Sequence, residues 1–597
     1  MVPTPIEDYA LLADTETAAL VGRDGSIDWL ALPRFDSGAV FAKLLGTAEH
    51  GHWTLAPAGE VRHVERRYRP GTLILETTFT TDDGQVTVVD AMIPRDRRPN
   101  LVRVVQGGRG RIPLRMVLRF RFDYGSIVPW VRRVDGALEA VAGPDRLTLW
   151  TPVPTEGRGH VTVAEFAVAE DDEVPFELAW SPSHLPRDEP PDPLRALLDA
   201  EAWWQAWSGR TTYTGAYRDE VRDSLVVLKG LTHAPTGGLV AAATTSLPEE
   251  IGGVRNWDYR FCWLRDATFS LIALLGAGHT EEARAWRDWL LRAVAGDPAS
   301  LQIMYGIGGE RRLPETVLDW LPGYDGSGPV RIGNAAVEQF QLDVYGEVLD
   351  ALHQGRMAGM ETDDDAWALQ SALLEFLEGN WQEPDEGIWE IRGPRRHFTH
   401  SRLMAWVAID RGIQAVERFG VDGPVDRWRR VREEIRADIL EHGVDERGVF
   451  VQRYDSSALD ASLLMVPLVG FLPPTDPRVA NTVAAIQSEL THDGFVHRYL
   501  PDVDVEGLPG GEGAFLLCTF WMVDNLHLLG RTDEATALYE KLLGLRNDVG
   551  LLAEQVDPVS GRHLGNFPQA FSHIALVDSA MNLCPGTTGP AERRSHP

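Results

Sequence analysis

The chain has 597 residues, of which 44% are hydrophobic and 19 are tryptophan, and its formal net charge is −31. This length exceeds that of a single hydrophobic core, so we expect two domains. The acidic charge argues against nucleic acid or an anionic membrane as a partner, because binding to phosphate needs a basic surface. The sequence leaves the oligomeric state open.

The first residues lack the basic and apolar segments of an export signal, and they include Glu7 and Asp8. No uninterrupted apolar stretch reaches the roughly 18 residues of a membrane span. The three cysteines, Cys262, Cys518 and Cys584, lie within or at the end of predicted helices. That placement is typical of reduced, buried thiols rather than of disulfides. These features predict a cytoplasmic protein.

Short alternating runs fill the first third of the chain. From Gly51 to about Leu185 they are separated by Gly, Pro and Asp turns, a spacing that predicts an antiparallel β-sandwich over residues 1–190. The opening stretch, Ile6–Leu45, is rich in turns, and we interpret its Asp28, Trp29 and Asp36 as structural, with a place at the edge of a site as the alternative. The predicted strands are Thr72–Phe79, Val86–Asp90, Leu114–Phe122, Leu147–Thr151 and Val161–Val168.

A break follows at Asp188–Pro193. Its sequence, DEPPDP, can neither continue a strand nor lie inside a helix. We therefore predict a linker over residues 191–215, with a Trp-bearing connecting helix near Leu194–Trp207. The second domain then covers residues 216–597.

Helical stretches occupy that second domain and alternate between amphipathic and fully apolar. The apolar ones are predicted inside and the amphipathic ones outside. Six of each, joined as hairpins, predict an (α/α)6 barrel whose outer-to-inner connections share one mouth. The helix N-termini at that mouth favour polar ligands. The predicted inner helices are Phe261–Gly276, Asn334–His353, Phe398–Val416, Asp460–Phe471, Ala514–Leu529 and Gln569–Leu583, and the outer ones are Tyr217–Thr232, Thr280–Val294, Asp364–Asn380, Val425–His442, Pro477–Leu490 and Thr532–Leu545.

Two of these connections carry candidate acid–base residues. Cleaving a glycosidic bond with inversion needs a carboxylic acid for the leaving oxygen and a carboxylate that deprotonates water on the opposite ring face. Glu390 follows Trp389, and packing against an indole would raise the pKa of its carboxyl, as a general acid requires. Glu554, in the connection before the last inner helix, is the candidate base. A glutamate in a connection is by itself more typical of a solvated surface group.

The segment Arg255–Asp266 is dense in aromatic residues, including Trp263, and ends in the pair Arg265 and Asp266. Aromatic faces stack on pyranose rings, and charged forks bind vicinal hydroxyls. The segment is therefore a candidate sugar site. An ion pair at a helix start, under a tryptophan-rich core, is an equal alternative.

Two more connections contain residues that could reach the mouth. Arg498 and Glu512 precede the fifth inner helix, and Tyr324 lies in a glycine-containing loop that could fold over the opening. His397 and His400 share a helix face, but no further His or Cys at ligand spacing accompanies them, so we predict no metal site. The Gly-rich segments lack the Lys-Ser/Thr of a phosphate loop, and we predict no cofactor.

Six segments of the chain are long or specific enough to identify a family. They are IEDYALLADTETAALVGRDGSIDWLALPRFDS, RNWDYRFCWLRDA, GNAAVEQFQLDVYGEVLDAL, GIWEIRG, GEGAFLLCTFW and LLAEQVDPVSGRHLGNFPQAFSHIAL. Together they resemble glycoside hydrolase family 15, the glucoamylase-like family, over nearly the whole chain. The resemblance implies a β-sandwich followed by an (α/α)6 barrel, and inverting exo-hydrolysis that releases β-glucose from the non-reducing end of α-glucosides.

The resemblance also implies roles for individual residues. Glu390 looks like the general acid of the family, and Glu554 looks like its general base. Ile391 follows Glu390, whereas fungal members carry a second acidic residue at that position. The resemblance is therefore weaker support for a preference for starch. The residues that look like substrate-binding positions are Arg265 and Asp266 for the terminal glucose, with Trp263 nearby, Arg498 for the next subsite, and Trp389 in the pocket lining.

We expect short glucosides as substrates, because no starch-binding domain and no export signal are visible. Our first expectation is an exo-α-glucosidase acting on isomalto- or malto-oligosaccharides such as isomaltose, and α,α-trehalase is the near alternative. A more distant alternative is an α-glucoside phosphorylase, in which a phosphate pocket would replace Glu554. A non-catalytic sugar-binding protein is a further alternative.

Overall fold

The computed structural model describes residues 3–187, 192–361, 364–500 and 511–584. Antiparallel strands dominate the first part of the chain, and helices dominate the rest. Residues 188–191, which include most of the predicted break and the first residue of the predicted linker, lie outside the described residues.

Fifteen strands form the N-terminal sheet structure, and every predicted strand falls on one of them. The opening segment, which we predicted only as rich in turns, forms four strands. At one of its turns Gly25 has a φ of 75°. The strands are β1 Tyr9–Ala13, β2 Ala18–Gly22, β3 Ser26–Ala31, β4 Ala39–Phe41, β5 His52–Pro57, β6 Val61–Tyr68, β7 Leu75–Thr81, β8 Gly84–Met92, β9 Asn100–Arg119, β10 Trp130–Val134, β11 Ala137–Ala142, β12 Asp145–Trp150, β13 Glu156–Arg158, β14 Val161–Ala169 and β15 Glu173–Pro182.

The long strand β9 joins two groups of strands. Its residues 100–110 pair with β8 and β15, and its residues 111–119 pair with β5 and β14. Phe176 of β15 contacts Trp53 of β5 and Phe166 of β14, with ring centroids 6.5 and 5.6 Å apart. Side chains of the two groups therefore pack against each other.

Thirteen α-helices occupy the described part of the chain after the sheet. The predicted inner segment Asp460–Phe471 is the main difference, since it forms a 3-10 turn, Ala461–Leu464, and one short helix. Pro467 has no backbone N–H to donate, and Gly470 has a φ of 83°, so the helix stops early. The helices are α1 Pro193–Ser208, α2 Arg218–Gly230, α3 Ala267–Gly276, α4 Thr280–Val294, α5 Asp343–Met357, α6 Asp364–Asn380, α7 Thr399–Phe419, α8 Val425–His442, α9 Met465–Leu468, α10 Pro477–Glu489, α11 Leu516–Leu528, α12 Thr532–Leu543 and α13 Ala570–Leu583.

The apolar helices contact one another in a closed ring. Helix α3 contacts α5, α5 contacts α7, and α7 contacts the turn Ala461–Leu464. That turn contacts α11, α11 contacts α13, and α13 returns to α3. The amphipathic helices lie against this ring, for example α4 against α3, α8 against α7 and α12 against α11. Residues 399–415 of α7 are all buried, as an inner position requires.

The sheet and the helices share one continuous hydrophobic core. Trp29 of β3 donates from Nε1 to the carbonyl of Ala243 at 2.8 Å, and Asp28 beside it accepts from Tyr9 Oη at 2.9 Å. Trp29 therefore joins the sheet to the helical part, and Asp28 joins two strands of the sheet. In the ranges that the structure describes, no helix is both long and apolar enough to cross a membrane.

Candidate active site

A pocket of about 650 Å³, including its opening to solvent, lies where the connections before α3, α7, α11 and α13 meet. Those are outer-to-inner connections, so the pocket is at the mouth that the helix order predicted. All six inner segments begin later than predicted, α3 by six residues and α5 by nine, and every lining residue lies in a connection rather than in an α-helix. The lining residues are Glu249, Arg255, Trp257, Tyr259, Arg265, Trp389, Glu390, Ile391, Arg392, Arg498, Tyr499, Phe515 and Gln569.

Glu390 is a lining residue that is bound by an indole. Trp263 donates from Nε1 to Glu390 Oε1 at 2.7 Å, and Arg265 Nη1 is 3.5 Å from the same oxygen. We expected the indole of Trp389 at this carboxyl, and the indole that is hydrogen-bonded to it is that of Trp263. Trp389 donates instead to both carboxylate oxygens of Asp460, at 2.9 and 3.0 Å, which turns its N–H away from Glu390.

The backbone at Glu390 is held in a sparsely populated conformation. Its φ is 58°, in the left-handed region that residues with a side chain rarely adopt. Gln339 donates from its amide to the carbonyls of Glu390 and Ile391, at 3.1 and 3.2 Å. The neighbouring connection therefore fixes the direction in which Glu390 points.

Glu554 is almost completely buried, with 1% of its surface exposed. Tyr259 donates from its hydroxyl to Glu554 Oε1 at 2.7 Å. Burial raises the pKa of Glu554, and the negative charge of Glu249 raises it further, whereas Arg498 opposes both effects. Gly565 lies against the carboxylate, since a Cβ at this glycine would be 2.3 Å from Oε2.

One short segment connects the two candidate carboxylates. Tyr259, which binds Glu554, and Trp263, which binds Glu390, have ring centroids 5.2 Å apart. Glu390 and Tyr259 line the pocket, and Glu554 is buried beside them. The arrangement can supply one carboxyl for proton donation and another for proton acceptance, because separate aromatic donors hold the two groups.

Arg265 and Asp266 lie at the start of α3, beside Glu390. Arg265 donates from Nη1 to the carbonyl of Ile388 at 2.8 Å, and its Nε is 3.5 Å from Asp266 Oδ1. Burial raises the pKa of Asp266 to about 6. Asp266 Oδ1 is buried without a hydrogen-bond partner among the described residues. An unpaired buried oxygen is costly unless a ligand hydroxyl reaches it.

Arg498 is the centre of a second charged group in the pocket. Its Nη2 is 2.9 Å from Glu249 Oε2, and it also pairs with Glu512. Its guanidinium lies 5.5 Å from the ring of Trp389, a cation–π distance. Arg498 lines the pocket, whereas Glu512 is not a lining residue and pairs with Arg498 and with Arg255, whose Nη1 is 3.8 Å from Glu512 Oε2.

The structure does not bring Tyr324 to this pocket. Its side chain is buried, and its hydroxyl donates to the carbonyl of Thr4 at 3.0 Å. This hydrogen bond to Thr4 holds the loop of Tyr324 against the N-terminal part of the chain. We therefore remove this residue from the candidate set.

Several lining residues were absent from our sequence-based candidates, and two of them, Glu249 and Arg392, are charged. Glu249 lies in PEEIGG, just before the aromatic segment, and Arg392 follows Glu390 by two positions. Arg392 and Arg331 lie on the ring of Trp257, with guanidinium-to-centroid distances of 4.1 and 4.5 Å. The only sequence signal for Glu249 was its closeness to the aromatic segment. Because an acidic pair in a loop is normally solvated, that signal did not indicate a pocket residue.

Two family models match the chain. One is described as Glycosyl hydrolases family 15 and matches residues 215–581, and the other is described as Trehalase-like, N-terminal and matches residues 2–199. A trehalase of Mycobacterium tuberculosis is 42% identical over 97% of this chain and 89% of its own length. A trehalase of Thermoplasma acidophilum is 33% identical over 94% of this chain and 98% of its own length.

Two further comparisons concern proteins whose names are not trehalase. An isomaltose glucohydrolase of Kribbella flavida is 29% identical and matches 54% of this chain and 80% of its own length. A crystal structure of a bacterial glucoamylase complexed with acarbose superposes with a TM-score of 0.74 at 13% identity, over 100% of this chain and 96% of that one. At that identity the likeness shows a shared fold only.

Proposed function

Because the chain belongs to glycosyl hydrolases family 15, we propose that it is an inverting α,α-trehalase. The observation that carries the proposal is the pair of carboxylates, Glu390 and Glu554, bound by neighbouring aromatic residues at one pocket. The broader activity, hydrolysis of an O-glycosidic bond, follows from the family.

This proposal reverses the order in which we ranked the substrates from the sequence. We placed an exo-α-glucosidase acting on isomalto- or malto-oligosaccharides first and trehalase second. The relatives that match nearly the full length are named trehalases, whereas the isomaltose glucohydrolase matches about half of the chain. Trehalose is therefore the substrate that we propose, and isomaltose is the second candidate substrate.

In the proposed reaction Glu390 donates its proton to the glycosidic oxygen, and Glu554 accepts a proton from the attacking water. The water oxygen bonds to the anomeric carbon of one glucose from the face opposite the leaving oxygen. That glucose leaves as the β-anomer, while the other keeps its own C1–O bond and leaves as the α-anomer. The N–H groups of Trp263 and Arg265 stabilise the carboxylate that Glu390 becomes after proton donation.

The two sugars would be bound by different groups. We assign Arg265 and Asp266 to the glucose that is transferred, since Asp266 Oδ1 needs a donor such as a sugar hydroxyl. Trp389 and Arg498 then contact the second glucose. Glu512 would act by orienting Arg498.

The fold details are part of the same proposal. The closed ring of inner segments with its outer helices is interpreted as an (α/α)6 barrel over residues 216–597. The two strand groups joined by β9 are interpreted as a β-sandwich over residues 1–190, and residues 191–215 are interpreted as the connecting segment. The contacts of the inner helices and of Phe176 support these assignments.

A substrate panel tests the function. The purified protein is assayed on trehalose, maltose, isomaltose and longer chains, with and without inorganic phosphate, and proton NMR follows the first turnovers. We expect trehalose to be cleaved fastest, with α- and β-glucose appearing in equal amounts. Faster cleavage of isomaltose would favour the second candidate, and glucose 1-phosphate as a product would identify a phosphorylase.

Substitution of the carboxylates tests the mechanism. Glu390→Gln and Glu554→Gln should each lower kcat at least about a hundredfold, because each removes a general acid or base. Glu383→Gln is a matched control, since Glu383 is exposed on the connection that carries Glu390. A near-normal rate in either active-site variant would refute the role assigned to that residue.

A further inference from the structure

Glu249 is a buried carboxylate in the pocket to which the proposed reaction assigns no role. It lines the pocket with only 2% of its surface exposed. A carboxylate seldom remains buried unless it is paired, and Arg498 is the partner here, 2.9 Å away. The ion pair fixes the position of the Glu249 carboxylate inside the pocket.

Three loops fix the backbone on either side of this carboxylate. The N–H of Glu249 donates to the carbonyl of Arg255 at 3.2 Å, and its own carbonyl accepts from Gly513 at 3.1 Å. The carbonyl of Pro248 accepts from the N–H of Gly565 at 2.7 Å. Gly565 also lies against the carboxylate of Glu554. The main chain that positions Glu249 is thus bonded directly to the loop beside the proposed base.

The charges around the two glutamates are unequal. Burial raises the pKa of Glu249, Arg498 and Arg255 lower it, and the charge of Glu512 raises it. Around Glu554, burial and the charge of Glu249 raise the pKa, while Arg498 and the Tyr259 hydroxyl lower it. Glu249 is therefore the main neighbouring negative charge on Glu554, whereas Glu512 acts on Glu249 and pairs with Arg498 and Arg255.

We propose that Glu249 is a positioning residue that acts through Glu554, because its negative charge, held in place by Arg498, makes Glu554 a stronger base toward the attacking water. The inference rests on the proposed function, which assigns the base to Glu554. In the chemical step one proton moves from water to Glu554 and one moves from Glu390 to the leaving oxygen. Glu249 exchanges no proton and makes no bond to carbon.

The sign of the pH effect follows from the charge. Glu554 must be ionised to accept a proton, so activity falls as the pH drops through its raised pKa. Glu249→Gln removes the neighbouring negative charge and leaves Arg498 less neutralised, and both changes lower the pKa of Glu554. The acid limb of the pH profile should therefore move to lower pH, by about one unit. The weaker base should also lower kcat on the plateau, by about three- to tenfold.

The experiment measures kcat and kcat/KM for trehalose against pH in the wild-type chain, Glu249→Gln, Glu249→Asp and Glu512→Gln. We expect Glu249→Asp, which keeps the charge, to retain the wild-type acid limb. Glu512→Gln is the matched control, since it removes the other carboxylate on Arg498. It also leaves Arg498 less neutralised but keeps the negative charge of Glu249, so it should raise KM and move the acid limb less than Glu249→Gln does.

An unmoved acid limb in Glu249→Gln, or an equal movement in Glu512→Gln, would overturn the inference. Circular dichroism and thermal unfolding check the fold of each variant, and Glu249→Ala is assayed in the same way if the glutamine variant does not fold. A wild-type chain that hydrolyses none of the glucosides in the panel would instead refute the proposed function. The two failures are therefore distinguishable.

Discussion

At the scale of single residues, aromatic hydrogen-bond donors hold the two carboxylates in place. Trp263 and Tyr259 each donate one short hydrogen bond, at 2.7 Å in both cases, to Glu390 and Glu554 respectively. A donor to a carboxylate stabilises its ionised form. The hydroxyl of Tyr259 therefore lowers the pKa of Glu554, whereas burial and the charge of Glu249 raise it.

Tyr259→Phe should move the acid limb in the direction opposite to Glu249→Gln. Loss of the hydroxyl removes a hydrogen bond to the charged form of Glu554, so its pKa rises and activity is lost at a higher pH. A hydrogen bond to a charged group contributes about 1.5–3 kcal/mol, so kcat/KM near neutral pH should fall roughly ten- to a hundredfold. The measurement is the pH dependence of trehalose hydrolysis.

Tyr499→Phe serves as the control for that prediction. Tyr499 also lines the pocket, but its charged neighbours are Glu512, Arg498 and Arg255. The acid limb of the Tyr499→Phe pH profile should coincide with that of the wild type. A downward shift in Tyr259→Phe would mean that the hydroxyl does not stabilise the charge on Glu554.

At the scale of elements, close packing of the inner helices decides where the connections meet. Helix α5 approaches α7 at Gly346, where a Cβ would be 2.3 Å from the carbonyl oxygen of Met404. Only a glycine permits this backbone approach. The alternation of apolar and amphipathic stretches predicted which helices are inside, but the close contact became visible only in the packed ring.

Gly346→Ala should therefore destabilise the protein, although alanine is the better helix former. Overpacking of this kind costs about 1–3 kcal/mol, because two backbones must separate. Thermal or urea unfolding measures the change. Gly379→Ala on α6 is the control, since nothing lies within 4 Å of its Cβ position, and it should be neutral or slightly stabilising. Equal stability of the two variants would show that the α5–α7 contact can relax.

At the scale of the whole molecule, the sheet and the helical part are joined by polar contacts within the shared core. The Arg66 side chain of β6 is fully buried and pairs with Asp548, which also pairs with Arg23 at 2.9 Å. Asp548 lies in the connection that leads to Glu554. The N-terminal strands therefore brace the loop that carries the proposed base.

Asp548→Asn should lower the stability of the whole chain by about 3 kcal/mol, because it leaves the buried Arg66 without a counter-charge. Urea unfolding followed by tryptophan fluorescence measures the change. Asp82→Asn is the control, since Asp82 and its partner Arg62 are exposed and such pairs contribute little. A stable Asp548→Asn variant would mean that solvent reaches Arg66.

The amino-acid sequence by itself determined the family, a strand-rich part followed by a helical part, and Glu390, Glu554, Arg265, Asp266 and Arg498 as candidates. Periodicity and motifs of this kind are local properties that a chain carries before it folds. The partners of these residues depended on the tertiary structure. Trp263 and Glu390 are 127 positions apart, and Tyr259 and Glu554 are 295 apart, so only packing of the ring brings them together. The same long-range packing placed Glu249 in the pocket and kept Tyr324 out of it.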